Sequence, residues 1–154
     1  MSTTLQAPKL TNTATRPLQP HKLFVNIPVT DLQRSISFFE ALGFSFNAQF
    51  TDATGTCMLV GEDAYFMLLT RDKFASFARR EIGEPWDQTS ALFAISVESR
   101  AEVDEMMNKA IAAGGASATD AQDHEFMYVS SFYDPDGHHW EVFWMDPQAI
   151  NDER

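Results

Sequence analysis

The sequence predicts an α+β domain built of two βαβββ modules. Two observations carry this. A helix signature with the same cap and stop occurs twice, in "VTDLQRSISFFEALGF" and in "VESRAEVDEMMNKAIAAGG", and each copy follows a mostly apolar strand, so that Val29 answers to Val97. Each copy is then followed by further strand signals in the same order, giving strand, helix and three strands twice.

Taken along the chain, the Thr- and Pro-rich stretch 1–21 has no apolar centre and reads as a flexible arm. The first module spans 22–70. Its strand Leu23 to Val29 leads into a helix whose expected capping box is Thr30 with Gln33, whose apolar stripe is Leu32, Ile36, Phe39 and Leu42, and whose stop is Gly43. "FSFNAQF" alternates, with Phe44, Phe46, Ala48 and Phe50 on one side, as a half-buried strand does. "TCMLVGEDAYFMLLT" reads as two strands around a Gly61–Asp63 turn. The segment 71–89 reads as a linker, helical to about Gly83 and broken at Pro85, with Phe74, Phe77 and Trp86 as its apolar side. The second module spans 90–146. It opens on the strand Leu92 to Val97, continues in a helix boxed by Ser99 and Glu102, and closes in "FMYVSSFYDPDGHHWEVFW", two strands around Pro135–Gly137. A short tail, 147–154, follows.

With 154 residues, 44% of them hydrophobic, the chain suits one domain able to bury a core. Its net charge of −11 repels nucleic-acid backbones and anionic membranes and favours a cationic ligand. No apolar run reaches membrane-spanning length, and the single cysteine, Cys57, cannot form an internal disulfide, so the expected setting is a reducing cytoplasm.

The repeated module, with "VTDLQRSISFFEALGF" in the first copy and "DPDGHHWEVF" closing the second, resembles the vicinal oxygen chelate superfamily of glyoxalase I, bleomycin-resistance proteins and extradiol dioxygenases. The resemblance runs from about Lys22 to Asp146, and "FVNIPVTDL", "FMLLTRD" and "FWMD" are similar to small bacterial proteins described as predicted lactoylglutathione lyases. In metal-dependent members, four equivalent strand positions carry the ligands; by motif spacing they fall here on Phe24, Met67, Leu92 and Glu141. Phe and Leu offer no lone pair and a thioether favours soft metals, so a glyoxalase-type centre is not expected. The resemblance therefore implies that the two βαβββ modules form a strongly curved mixed sheet enclosing a cavity, that this cavity binds a small molecule without metal or cofactor, as in the bleomycin-resistance branch, and that the protein is a homodimer whose cavities draw modules from both chains.

Strand alternation places His139, Glu141 and Phe143 on one face and His138, Trp140 and Val142 on the other. His139 with Glu141, joined by His124 of "QDHEFM", has the composition of a non-haem iron facial triad; this is the alternative in which one divalent ion is bound and the protein is a lyase or a dioxygenase-like oxidoreductase. A metal-free enzyme would instead use Glu141 in acid–base work with His139 or His124, its carboxyl raised by apolar neighbours. Asn26, on the strand face of Phe24, and Tyr128 and Tyr133 are further candidates for ligand contacts. Cys57 reads as a buried structural thiol.

Overall fold

The computed structural model describes residues 3–11 and 21–151, with secondary structure from Leu23 onward. Module one comprises β1 (Leu23–Val29), α1 (Leu32–Ala41), β2 (Ser45–Asp52), β3 (Gly55–Gly61) and β4 (Ala64–Thr70). A short helix α2 (Arg71–Phe77) leads to module two: β5 (Leu92–Ser96), α3 (Arg100–Ala112), β6 (Ala116–Asp123), β7 (Met127–Tyr133) and β8 (His139–Met145). A helix α4 (Pro147–Asn151) ends the described chain. No helix among the described residues is long and apolar enough to cross a membrane.

The strands form two four-stranded sheets of identical topology, β1-β4-β3-β2 and β5-β8-β7-β6, neither closed into a barrel. In each, the first strand of the module, β1 or β5, is parallel to its neighbour and the other pairings are antiparallel, which is the βαβββ pattern. The curved wall is thus split within one chain, because β1 and β5 are both edge strands.

The inner faces of the two sheets pack on each other. Were β1 and β5 neighbours in one sheet, β4 and β8 would stand three strand spacings, roughly 14 Å, apart. Instead the rings of Phe66 on β4 and Trp140 on β8 lie 4.7 Å apart. Trp140, fully buried, also meets Phe39 of α1 at 5.1 Å and Phe93 of β5 at 5.0 Å. The helices supply the remaining buried stripe, Phe38 and Phe39 from α1 and Val103 and Ala110 from α3. Both helices end before a glycine in the left-handed region, Gly43 at φ 101° and Gly114 at φ 109°.

A buried polar turn ties the modules together. Asp134 accepts hydrogen bonds from the backbone N–H groups of Asp136 (2.9 Å) and His138 (3.1 Å) and from Trp140 Nε1 (3.0 Å). Burial pushes its carboxyl above the ordinary range, opposed by His138 and by these donors. Asp136 reaches into module one, where Oδ1 accepts from Thr30 N (2.8 Å) and Oδ2 from Ser35 Oγ (3.3 Å). His138 Nε2 meets the Pro28 carbonyl at 2.7 Å.

These bonds explain where the expected caps move. Thr30 gives its N–H to Asp136, and Asp31 becomes the N-cap of α1, accepting from Arg34 N at 3.1 Å. Ser99 caps α3 as expected, through Glu102 N at 3.1 Å, while the Glu102 carboxylate reaches back to Glu98 N. Three other expectations are corrected. The linker helix stops at Phe77 rather than near Gly83, since Arg79, Arg80 and Glu81 give the following turn no apolar side. The alternation of β2 breaks at a register shift after Asn47, leaving Phe50 exposed. The tail holds a helix that begins on Pro147, with Asp146 accepting from Gln148 N. Of the arm, residues 3–11 form neither helix nor strand, and much of the rest lies outside the described residues.

Candidate functional site

Since the inner faces carry the core, ligand chemistry falls to the outer faces. On sheet two, β5 and β8 run in the register Leu92↔His139, Ala94↔Glu141 and Ser96↔Phe143. On sheet one the corresponding rungs are Phe24↔Tyr65 and Asn26↔Met67. Phe24 stands to Met67 as Leu92 stands to Glu141, one rung apart on adjacent parallel strands, so the four positions are equivalent in pairs. Because the inner faces are packed together, the two pairs point away from each other within one chain.

The two surroundings differ. Glu141, half-buried, lies between Ala94 on β5 and Ser131 on β7, and the Ser131 hydroxyl shares a hydrogen bond with Thr119 of β6. On sheet one, Phe24 stacks on Tyr65 at 4.7 Å, Cys57 stands opposite Met67, and Asn26 turns its amide to the Phe24 carbonyl at 3.4 Å. Phe24 is 49% exposed and Leu92 55%, large apolar side chains on the edge strands β1 and β5. Burial raises the Cys57 thiol above its ordinary range, in keeping with a structural thiol.

His139 shares the outer face with Glu141. Its ring meets Tyr133 edge-on at 5.4 Å, and its Nε2 is buried without a hydrogen-bond partner among the described residues. Trp86 of the linker packs against Tyr133 at 5.6 Å.

Two expected site residues lie elsewhere. Tyr128 is on the inner-face parity of β7 and donates to Asp104 Oδ1 of α3 at 2.7 Å, which holds its hydroxyl above the usual tyrosine range; it does not join the outer face. His124 is exposed beyond the end of β6, bonded to Gln122, beside the strand ends at Tyr128 and Met145. From there to Glu141 is on the order of 13 Å along the strand. The facial triad of His124, His139 and Glu141 therefore does not assemble within a chain. Among the described residues no three His, Cys, Asp or Glu side chains are grouped to hold a metal. Nor does the donor set Phe24, Met67, Leu92 and Glu141 fit a hard divalent ion, which needs at least three oxygen or nitrogen donors where this set has one carboxylate.

Sequence reasoning passed over Ser131 and Thr119, which only the strand register brings beside Glu141. It also read the Asp134–Gly137 stretch as a turn and no more, although two aspartates in a four-residue turn before a tryptophan were a signal of buried acceptors.

The model of the Glyoxalase/Bleomycin resistance protein/Dioxygenase superfamily matches residues 22–142. Among solved structures, the chain is similar to a hypothetical protein of S. aureus, with 26% identity, a TM-score of 0.70, and coverage of 82% of this chain and 95% of that one. A glyoxalase-related enzyme from Fulvimarina pelagi gives 20% identity and a TM-score of 0.69, covering 83% and 88%. The fosfomycin resistance protein FosX from Listeria monocytogenes gives 14% and 0.62, covering 85% and 98%. The last two likenesses are of fold alone. No curated protein sequence matches the chain.

Proposed function

The chain belongs to the Glyoxalase/Bleomycin resistance protein/Dioxygenase superfamily, and from the chemistry of its outer faces we propose that it binds a small molecule in a sheet-lined cavity without the metal centre of the glyoxalases. The observation that carries this is the paired register. Phe24 and Met67 on one sheet, Leu92 and Glu141 on the other, put a single oxygen donor among the four equivalent positions. Such a wall suits a mainly apolar ligand with one polar or cationic group for Glu141, and the net charge of −11 favours the cationic form.

The cavity is completed by a second copy. The outer faces of one chain point apart, while β1 and β5 leave unpaired edges bearing Leu23, Phe24 and Leu92 exposed. A homodimer that sets module one of one copy against module two of the other covers these apolar groups and brings all four positions around one space.

Elemental analysis of the purified, untagged protein tests the metal-free reading. Well under one equivalent of nickel, zinc, iron or manganese is expected, with no change of melting temperature on adding chelator. Stoichiometric metal lost in Glu141→Gln or His139→Phe would overturn it. Sedimentation equilibrium at micromolar concentration should give twice 17.3 kDa; the monomer mass would remove the shared cavity.

A further inference from the structure

On the outer face of module two, the Glu141 rung lies between two aromatic side chains. Phe143 is its neighbour on that face along β8, and the rung Ser131↔Glu141 adjoins the rung Tyr133↔His139. Tyr133 therefore stands diagonal to Glu141, at a backbone separation of about 7–8 Å that an aromatic side chain spans. The Tyr133 ring is held from two sides. His139 meets it edge-on at 5.4 Å, and Trp86 of the linker packs on it at 5.6 Å. Trp86 is itself seated on Gly137, where a Cβ would come within 2.6 Å of the indole.

The carboxylate between these rings has no counter-charge. Among the described residues Glu141 makes no ion pair, whereas Lys22, Arg34, Arg100 and Lys109 each pair with another acid. Neither of its oxygens is among the atoms buried without a partner, so solvent reaches them. Its polar neighbour is already engaged, since Ser131 is buried and its hydroxyl is bonded to that of Thr119. Across β5 it faces Ala94, with Leu92 on the adjoining rung. A ligand group placed here meets one anion and otherwise apolar and aromatic surface.

A primary ammonium brings three N–H donors to such a place and leaves two of them unanswered, which is costly once water is excluded. A tertiary ammonium brings one, which the carboxylate accepts, and a quaternary ammonium brings none. Their alkyl groups carry the charge outward to ring faces, which attract a cation within about 6 Å of the centroid. We infer that the Glu141 rung recognises a tertiary or quaternary ammonium group, its charge met by Glu141 and its alkyl substituents by the rings of Tyr133 and Phe143. This rests on the small-molecule reading above and narrows it to one class of ligand, with Tyr133 and Phe143 as the residues that set specificity. The net charge of −11 draws such a cation toward the protein.

The test is a titration of the full-length, isotopically labelled protein with benzylamine, N,N-dimethylbenzylamine, benzyltrimethylammonium and benzyl alcohol at pH 7, where every amine of the series is charged, followed by amide chemical shifts. The two N-alkylated cations should give saturable shifts at residues 129–133 and 139–143, with an affinity about fivefold or more above benzylamine and benzyl alcohol. Glu141→Gln should bring all three cations down to the level of the alcohol. Tyr133→Leu and Phe143→Leu should each shrink the preference for the alkylated cations over benzylamine by at least about twofold; Phe143→Leu decides the matter should Tyr133→Leu fail to fold. Equal binding of all four compounds at these residues, unchanged by Glu141→Gln, would overturn the ammonium class and leave the small-molecule reading standing. Benzylamine binding tightest, or an alkyl preference that survives Phe143→Leu, would overturn it as well. No saturable shift from any of the four would remove both readings.

Discussion

The two sheets of this protein repeat one plan on their inner faces and part company on their outer ones. Inside, Phe66 and Leu68 of β4 match Trp140 and Val142 of β8, all buried and in one core. Outside, the rung of Met67, Asn26 and Cys57 is matched by Glu141, Ala94 and Ser131. Packing holds the inner residues to apolar types, because each faces the other module, whereas an outer residue answers only to what binds there. The polar chemistry has gathered on module two, which makes its outer face the place to look for function.

The largest effect that sharpens this comparison is at the core. Phe66→Ala and Trp140→Ala should each cost about 3–5 kcal/mol in denaturant melts. Their rings touch, so the double variant should lose clearly less than the sum. Glu141→Gln, on the outer face, should change stability by under about 1 kcal/mol. Equal losses at Glu141 and Trp140 would break the division into a structural inner and a functional outer face.

Next in size is a contrast of turns. The turn of module two sends Asp136 into module one, onto Thr30 N and Ser35 Oγ, so Asp136→Ala strands the Thr30 N–H and the buried Ser35 hydroxyl and should cost about 1–3 kcal/mol. The corresponding turn of module one holds Asp63 in an exposed pair with Lys22, and Asp63→Ala should leave the melt unchanged within error. A large loss at Asp63 would mean that both turns join the modules.

The repeat was legible in the sequence because its signals are local: a cap, an apolar stripe and a glycine stop describe α1 and α3 without reference to the rest of the chain. Strand alternation likewise put His139, Glu141 and Phe143 on one face. What escaped depends on partners distant in sequence. Thr30 was expected to cap α1 until Asp136 claimed its N–H from 106 residues away. Tyr128 reads as a face residue of β7 from alternation, but only the placement of α3 shows that its face is the inner one, against Asp104. His124 and His139 share a residue type and lie at opposite ends of the same sheet, a separation no spacing rule reveals.

The smallest effect sharpens the comparison at a single rung. Cys57 stands opposite Met67 as Ser131 stands opposite Glu141, and both are buried. Burial raises the Cys57 thiol, so the folded state favours the neutral form. Its contribution to stability is then complete below the range where the unfolded thiol ionises, and is lost as pH rises through the higher folded value. The thiolate is the reactive species, so an aromatic disulfide reagent at pH 8 should label the native protein at least about a hundredfold more slowly than the denatured chain. In a chain with Cys57→Ala and Ser131→Cys, the thiol moves to the module-two rung, where the Glu141 carboxylate adds like-charge repulsion to burial, and labelling should be slower still. Faster labelling at position 131 than at 57 would show that the outer face of module two is the more open of the two, and would undo the equivalence of the rungs.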